Sequence, residues 1–355
     1  MTPSTDAGAQ SQSPEDRLEH PPSAPSPDPS GRSAVSVSTL LTRIGPLLGL
    51  IVVFGFFSIL LPRPPEQFAT VSTVQLILLQ TAVVGMTALG MTMIIISGGI
   101  DLSVGSNIAL CCVIVAQLLN RHVPPALAAA AGVGMGALVG LVVSLLVTRL
   151  RMSPFIITLA FWGGIRGVAE GIANDNEVQA PSTWLNSLML SLDKHHQWML
   201  FPPGVWILIV FALATAWLLR YTRLGRHIFA LGSNEQTARL CGVKVDATKI
   251  WIYVLAGALT GLAGVLQFSY LTIGDPTTAN GYELSAIAAV VIGGGSLTGG
   301  QGSVFGTLVG ALIMTTIAAG ANQMDWSNWI QLIVTGVIII LAVALDQWRH
   351  RRAVR

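Results

Sequence analysis

Ten hydrophobic runs fill most of this 355-residue chain, and they constrain its fold more than any other feature. A helix needs about 20 apolar residues to cross a bilayer, whereas a strand of a membrane β-barrel needs about ten and alternates polar with apolar residues. Most of the runs reach the helical length, so the sequence predicts an all-α polytopic membrane protein with about ten transmembrane helices. The runs lie at about residues 40–61, 74–96, 104–119, 126–148, 154–174, 203–219, 250–272, 283–298, 303–322 and 327–346.

The composition supports a membrane location. Hydrophobic residues make up 52% of the chain and charged residues only 10%, whereas soluble domains carry roughly 25% charged residues. Because so few charges cannot cover a water-facing surface, most of the surface must face lipid. The three cysteines show no metal-binding spacing, so we predict neither a metal site nor catalytic residues.

The chain divides into a tail, a membrane domain and a second tail. Residues 1–36 are rich in proline and serine without hydrophobic periodicity, which predicts a disordered cytoplasmic tail. They lack a basic segment that leads into an apolar one, so we do not expect a signal peptide. Residues 37–346 form the predicted transmembrane domain, with a cytoplasmic loop at 220–249, and residues 347–355 form a basic cytoplasmic tail.

Lysine and arginine set the expected orientation, because they accumulate in the cytoplasmic segments of membrane proteins. With the N-terminus in the cytoplasm, fifteen of the 19 basic residues fall on the cytoplasmic side. Only Arg63, Arg121 and Lys194 fall on the opposite side, and Arg166 lies within the membrane. We therefore predict that both termini are cytoplasmic.

Two glycine-rich motifs interrupt the apolar runs and indicate an internal repeat with glycine-broken helices. The first reads Ile96-Ser97-Gly98-Gly99-Ile100-Asp101-Leu102-Ser103-Val104-Gly105-Ser106, and the second, 196 residues later, reads Ile292-Gly293-Gly294-Gly295-Ser296-Leu297-Thr298-Gly299-Gly300-Gln301-Gly302-Ser303. Six predicted crossings separate them, so the repeat is parallel. Internal repeats are common in transporters, although such breaks could also recur by chance in a chain with 37 glycines. We predict that the motifs are paired hinges and helix caps, formed by Gly98, Gly99, Asp101, Ser103, Gly293, Gly294 and Gly295.

Asp101 needs an explanation because an ionised group at mid-membrane costs at least ~2.5 kcal/mol. It precedes a helix predicted to start near Leu102. Its carboxylate could accept a hydrogen bond from the backbone N–H of Ser103 or Val104 and oppose the helix dipole. The other interpretation is that a glycine-broken helix lines a pathway with exposed backbone groups.

The loop at residues 220–249 contains a predicted two-turn helix. Ser233 followed by Gln236 fits a capping box, and Gly242 fits a helix C-terminal stop. A helix this short needs a partner to pack against. It is either a docking helix for a cytoplasmic protein or a loop helix that rests on lipid headgroups, which its basic flanks would also favour.

Together these stretches resemble the ribose-type sugar permeases of bacterial ABC importers. The resemblance is carried by Gly98-Gly99-Ile100-Asp101-Leu102-Ser103-Val104-Gly105-Ser106, by Ala289-Val290-Val291-Ile292-Gly293-Gly294-Gly295-Ser296-Leu297-Thr298-Gly299-Gly300, and by Thr222-Arg223-Leu224-Gly225-Arg226 with Ala230-Leu231-Gly232-Ser233-Asn234-Glu235. It extends from about residue 75 to 345, with the motifs in family order. It is specific to the family but not to one sugar.

The resemblance implies a permease subunit, not an enzyme, that imports a pentose or hexose across the bacterial inner membrane by alternating access. Its implied partners are a second permease subunit, a cytoplasmic ATP-binding subunit and a periplasmic sugar-binding protein, with no role for nucleic acid. A coupling helix at about residues 234–241 would contact the ATP-binding subunit, and its principal residues are Glu235, Ala238, Arg239 and Gly242. Many ABC permeases carry Glu-Ala-Ala with a glycine six residues after the Glu, whereas here Gly242 lies seven residues after Glu235, so this loop is only loosely similar.

ATP hydrolysis is assigned to the partner subunit. The chain has no Gly-x-x-x-x-Gly-Lys-Ser/Thr loop, and its only lysines are Lys194, Lys244 and Lys249. It therefore cannot hold ATP phosphates in that way, and we expect this chain to bind no cofactor.

The fifth hydrophobic run carries the best candidates for a substrate pathway or gate, which are Trp162, Arg166, Glu170 and Asn174. Their four-residue spacing keeps neighbours near one helix face, so Arg166 and Glu170 could form an ion pair. A second stripe of small residues suits close helix packing and consists of Gly163, Gly167 and Gly171. A sugar pathway needs hydrogen-bonding groups and aromatic rings, which Trp162 and Asn174 supply. The alternative is that the ion pair fixes helix packing or closes an outer gate.

Two other functions stay open. An ion-coupled secondary sugar transporter would need intramembrane carboxylates that take up Na⁺ or H⁺, and Asp101 with Glu170 is consistent with it. A lipid-modifying membrane enzyme would need His, Asp or Ser groups that converge on one face, and the sequence gives no such cluster.

Overall fold

The computed structural model describes residues 37–60, 68–190 and 201–353, so the predicted tail at residues 1–36 lies outside the described chain. By its contacts the chain divides into a unit at residues 1–40 and a unit at residues 41–355. The packing described below is that of the second unit.

Each of the ten hydrophobic runs coincides with a helix, and the described part of the predicted cytoplasmic loop adds two more. The helices are α1 (Val37–Leu60), α2 (Val71–Ile96), α3 (Val104–Asn120), α4 (Pro125–Arg149), α5 (Pro154–Ala173), α6 (Pro203–Tyr221), α7 (Arg223–Ser233), α8 (Glu235–Leu240), α9 (Val245–Leu271), α10 (Tyr282–Ile292), α11 (Val304–Gln323) and α12 (Asn328–Ala353). Six of them, α2, α4, α5, α6, α9 and α11, are long and apolar enough to cross a membrane, and α1, α3, α10 and α12 carry shorter apolar stretches. The predicted all-α polytopic membrane fold is confirmed.

The internal repeat is visible in how α2 and α10 end. In each copy the second residue beyond the helix is a glycine with positive φ, 83° at Gly98 and 90° at Gly294. This glycine and the next one, Gly99 or Gly295, donate their N–H groups back to carbonyls of the last helical turn at 2.8–3.0 Å. That pattern is the Schellman motif, in which glycine tolerates the left-handed backbone. It also explains why α10 ends at Ile292 and not at the predicted residue 298.

The central helix is α2, in which every residue from Thr81 to Ile96 is buried. It packs against α6, α9, α10 and α11. Two hydroxyl pairs join it to α11: the side chains of Thr81 and Thr315 lie 2.7 Å apart, and those of Thr92 and Thr307 lie 2.8 Å apart. These hydrogen bonds satisfy polar groups that lipid could not, and they hold the two repeats together.

The most extensive helix contact among the described residues is that between α4 and α9. A side chain at Gly136 would overlap the carbonyl oxygen of Gly257, and one at Gly140 would overlap the carbonyl oxygen of Tyr253. Small residues therefore let these two backbones touch, as in other tightly packed transmembrane helices.

A short sheet fixes the loop that precedes α10. Strand β1 (Val178–Gln179) follows α5, strand β2 (Ile273–Gly274) follows α9, and the two pair antiparallel. The pairing holds the chain after α5 against the start of the loop at residues 272–281. That loop supplies backbone oxygens to the site described next.

Candidate functional site

Asp101 closes a turn with Ser103 immediately before α3. Its Oδ1 accepts hydrogen bonds from the backbone N–H of Ser103 at 2.8 Å and from the Ser103 hydroxyl at 2.6 Å. The hydrogen bond predicted from Ser103 is therefore present. The helix begins at Val104, two residues later than predicted, because Asp101 and Ser103 close a tight turn before it.

Both glycine motifs meet the loop at residues 220–249 at one point, which we call the glycine junction and define as Ile96, Gly232 and Gly300. The Gly300 N–H donates to the Ile96 carbonyl oxygen at 2.8 Å. Gly232, near the end of α7, lies so close that an added side chain would overlap that oxygen and the Gly300 nitrogen. This contact was not predicted, because the two motifs and the loop lie far apart in the sequence. Its only signal was a glycine inside a helical stretch.

The cap of α8 differs from the prediction. Ser233 is the last residue of α7, whereas Asn234 has the extended backbone that an N-cap needs and its Oδ1 accepts from the Thr237 N–H at 2.8 Å. The expected capping box from Ser233 to Gln236 is therefore wrong, because α7 continues through Ser233. The predicted stop is confirmed, since Gly242 has φ +83° and donates its N–H to the Arg239 carbonyl oxygen at 3.1 Å.

Charges fix α8 against the start of α9. Lys249 Nζ lies 2.8 Å from Glu235 Oε2, and Arg239 Nη2 lies 3.4 Å from Glu235 Oε1 and 3.7 Å from Asp246 Oδ1. Partial burial alone would raise the pKa of the Glu235 carboxyl, but the hydrogen bonds and charges of Lys249 and Arg239 outweigh it and lower that pKa below its ordinary value. These groups are partly exposed, so each pair stabilises the fold only modestly.

One face of α8 packs on the protein and another is open. Ala238 is buried, whereas the Leu240 side chain is 88% exposed. Leu240 therefore presents an apolar side chain beside the charged side chains of Glu235 and Arg239. Leu240 was not among the predicted coupling residues, although an apolar residue on the polar side of a two-turn helix was a usable signal.

Along α5 the four predicted pathway residues have separate surroundings. The Arg166 Nη1 atom donates to the carbonyl oxygens of Pro276 at 2.6 Å and Thr278 at 2.8 Å. Within the described residues it forms no ion pair with Glu170, so the expected i,i+4 pair is replaced by backbone contacts. Asn174 lies at the left-handed C-cap of α5 with φ 52°.

Trp162 connects α5 to α3 and to α10. Its carbonyl oxygen accepts from the Ser106 hydroxyl at 2.5 Å, and its side chain, which is 40% exposed, interacts with the carboxyl of Glu283 on α10. Glu283 is 7% exposed and also interacts electrostatically with Arg166. Glu283 counts among the weaker polar candidates in the sequence, because nothing local indicates that its carboxylate faces a residue on α5.

Two charged atoms of this cluster have no hydrogen-bond partner. They are Arg166 Nη2 and Glu283 Oε2, and both are buried. Glu283 lies in the first turn of α10 and its Oε2 occupies the space beside Gly105 in the first turn of α3. Both helix N-termini favour a negative charge there. Within the described residues, no group of three His, Cys, Asp or Glu side chains could hold a metal ion.

Comparisons with known proteins give consistent matches. The model of a family described as "branched-chain amino acid transport system / permease component" matches residues 73–343. The ribose import permease protein RbsC of Escherichia coli (strain K12) is 40% identical over 300 residues, which cover 84% of this chain and 92% of that protein. The L-arabinose ABC transporter permease protein AraH of Azospirillum brasilense is 34% identical over 342 residues, 94% of this chain and 97% of that protein.

A third similar protein is named for fructose import. The fructose import permease protein FrcC of Rhizobium meliloti is 34% identical over 313 residues, which cover 87% of this chain and 86% of that protein. No solved structure matches the chain.

Proposed function

We propose, from the premise that this chain belongs to the family of permease components of branched-chain amino acid transport systems, that it is the transmembrane permease subunit of an ATP-driven monosaccharide importer. The observation that carries this proposal is the similarity to relatives named for ribose, arabinose and fructose over at least 84% of the chain. The family description names amino acids, but relatives that share 34–40% of their residues with this chain are named for sugars.

The proposed complex lies in the bacterial inner membrane with both termini of this chain in the cytoplasm. A second permease subunit completes the pore, a periplasmic sugar-binding protein delivers the substrate, and a cytoplasmic ATP-binding subunit drives the cycle. ATP binding and hydrolysis on that partner would switch the side to which the central cavity opens.

The ATP-binding partner is proposed to dock on α8. Glu235 and Arg239 present charges, Leu240 presents an exposed apolar side chain, and Gly242 ends the helix sharply. Ala238 anchors the opposite face in the protein. A partner that covers Leu240 would gain an apolar anchor, and such buried anchors dominate the energetics of protein interfaces.

The glycine motifs are proposed to be the hinges of the transport cycle. Gly98 and Gly294 already adopt a backbone conformation that most residues avoid, and both follow the last turn of a buried helix. Asp101 and Ser103 keep the start of α3 ordered while the segment before it changes direction. Gly293 and Gly295 flank the second hinge in the same way as Ser97 and Gly99 flank the first.

The substrate pathway is proposed to follow the exposed side of α5. Trp162 supplies an aromatic surface, Arg166 a donor, and Glu170 a partly exposed carboxylate. Asn174 would act at the outer end, where α5 stops. This division of roles suits a neutral, hydroxyl-rich substrate, which needs donors, acceptors and ring faces.

Transport in proteoliposomes tests this function. The chain is reconstituted with its ATP-binding subunit, and uptake of radiolabelled D-ribose, L-arabinose, D-fructose and L-leucine is measured with the binding protein and ATP. We expect uptake of at least one sugar, only when ATP is present, and no uptake of leucine. Sugar uptake by the chain alone, driven by a proton or sodium gradient, would instead identify a secondary transporter.

A second experiment tests the docking helix. Reversing both charges, with Glu235→Arg and Arg239→Glu, retains their mutual attraction but opposes the charges of Lys249, of Asp246 and of any docked partner. We expect uptake per ATP hydrolysed to fall while membrane insertion is retained. The matched control is Asp325→Asn, at an exposed turn between α11 and α12. Unchanged transport in the reversed variant would exclude α8 as the docking helix.

A further inference from the structure

An apolar groove opens between α1, α2 and α11. Its volume is about 410 Å³, which is in the range of sites that hold small molecules. Its walls include Leu50, Ile51, Gly55, Val74, Leu78 and Leu312. The Thr316 hydroxyl, which also lines the groove, donates to the Leu312 carbonyl oxygen at 2.6 Å and is thereby satisfied within α11. The walls therefore suit a hydrocarbon chain and not a polar ligand.

The groove can be reached from outside the helix bundle. Phe57 holds α1 in place, because its buried ring lies 5.7 Å from that of Phe68 and 6.3 Å from that of Trp326. Two residues earlier in α1, a side chain at Gly55 would have no atom within 4 Å. The Ile51 side chain, one turn further back, is 66% exposed. A ligand can therefore enter sideways between α1 and its neighbours.

A second cavity of about 210 Å³ continues the groove, since Val74 and Leu78 line both. It adds two polar residues, Thr70 and Gln75. Thr70 is the N-cap of α2, so this end lies where a helix able to span the membrane begins. From Thr70 to Leu78 the cavities follow α2 for about 12 Å, which approaches half of the ~30 Å hydrocarbon core of a bilayer. The groove is thus polar at the membrane surface and apolar within one leaflet.

We propose that this groove binds an acyl chain of a membrane phospholipid, with the glycerol and headgroup of the lipid beside Thr70 and Gln75. A phospholipid presents polar and apolar parts in the same order as the groove. Because α2 and α11 are long and apolar enough to cross a membrane, the opening faces lipid chains, and an unfilled groove would lose their packing contacts. The bound chain would lie between α1 and the helix pair that Thr81 and Thr315 join. The described walls include no residue of α5 or α8, so this site is independent of the pathway and of the docking helix.

Photolabelling by a phospholipid tests the site. The full chain is purified in detergent and mixed with phosphatidylglycerol that carries a diazirine in one acyl chain, and the labelled residues are identified by mass spectrometry after illumination. Labels should concentrate on residues 50–55, 74–78 and 312–316. Gly55→Leu should lower this labelling about tenfold or more, because its side chain occupies the groove. The matched control is Gly45→Leu, which makes the same change in the same helix, in equally open surroundings and outside the groove walls, and should label normally.

Stability distinguishes a bound lipid from lipid that merely surrounds the protein. Removing lipid by prolonged detergent washing should lower the Tm of the unmodified chain and of Gly45→Leu, and added phosphatidylglycerol should restore it. Gly55→Leu, whose groove is already filled, should respond to neither treatment. Labels spread evenly over the outer helix faces, or equal labelling of the groove in Gly55→Leu, would overturn the proposal.

A second copy of the chain is the competing occupant of the groove. It is tested by oxidation of native membranes that contain Ile51→Cys, combined with Cys241→Ser because Cys241 is exposed. We expect Ile51→Cys to remain monomeric on a non-reducing gel, since lipid covers this position. A disulfide-linked dimer would show that another copy lies over the groove and would overturn the lipid site.

Discussion

Substituting Gly232 by alanine should separate α7 from the glycine motifs of both repeats. The position lies at the glycine junction, where an added methyl group would overlap the Ile96 carbonyl oxygen and the Gly300 nitrogen. Neither neighbour is the end of a flexible side chain. The backbone of α7 must therefore move away, and the methyl group would come between the atoms of the 2.8 Å hydrogen bond from Gly300 to Ile96.

The size of the effect follows from three contributions. Overpacking against fixed backbone typically costs about 1–3 kcal/mol, and loss of the Gly300 hydrogen bond costs about 0.5–1.5 kcal/mol. Alanine inside a helix offsets these by about 1 kcal/mol relative to glycine. The net expectation is a destabilisation of roughly 1–3 kcal/mol. The steric contribution decides the sign.

Gly134→Ala is the matched control, because that helical glycine is exposed and has no atom within 4 Å of where a side chain would start. Only the helix propensity changes there, so Gly134→Ala should be neutral or slightly stabilising. Unfolding by SDS in mixed micelles would compare the free energies of both variants with that of the unmodified protein.

Transport gives the functional readout of the same change. Because α7 leads directly into α8, we expect Gly232→Ala to lower sugar uptake per ATP hydrolysed in proteoliposomes, whereas Gly134→Ala should not. If Gly232→Ala unfolds at the same SDS concentration as Gly134→Ala and couples as well, the junction does not constrain α7 and the reasoning is refuted.

Three further expectations follow from the structure. Because the pKa of Glu235 is lowered, its ionised carboxylate should stabilise α8 at pH values above the ordinary glutamate pKa. This stabilisation should be lost as the pH falls through the lowered pKa. Amide hydrogen exchange of residues 235–240 should show this pH dependence, and Glu235→Gln should abolish it. Asn234→Ala should destabilise α8 by about 1 kcal/mol and speed the same exchange, whereas Ser233→Ala should leave the cap intact. Gly136→Leu should push α4 away from Gly257 on α9 and lower the free energy of unfolding in SDS by about 1–3 kcal/mol or more.

Hydropathy predicted the helices well because lipid exposure imposes a length on every crossing. The predicted runs at 104–119 and 303–322 differ from α3 and α11 by at most one residue at each end. The prediction fails at the end of α10, where apolar residues continue past the helix. There the backbone of Gly294 decides, since a residue in the left-handed conformation ends a helix whatever the hydropathy of its neighbours.

Side-chain partners were harder to predict because they depend on distant parts of the chain. The spacing of Arg166 and Glu170 suggested an ion pair, but tertiary structure brought the carbonyl oxygens of Pro276 and Thr278 within 2.6–2.8 Å of the guanidinium. The local prediction for Asp101 succeeded because its partner lies two residues away. The surroundings of Glu283 could not be predicted from sequence, because they come from α3, α5 and the loop before α10.

Helix α10 links the glycine junction to the buried charges of Arg166 and Glu283. Its C-terminal end leads into the segment that carries Gly300 of the glycine junction, and its first turn carries Glu283. Helix α10 has eleven residues, is about 16 Å long and is unbroken from Glu283 to Ile292. A displacement that α7 imposes at the junction must therefore either move Glu283 or be absorbed by Gly293, Gly294 and Gly295. Stiffening the backbone at residues 293–295 should strengthen the dependence of sugar affinity on the nucleotide state of the partner subunit. Loosening the glycine junction at Gly232 should weaken that dependence.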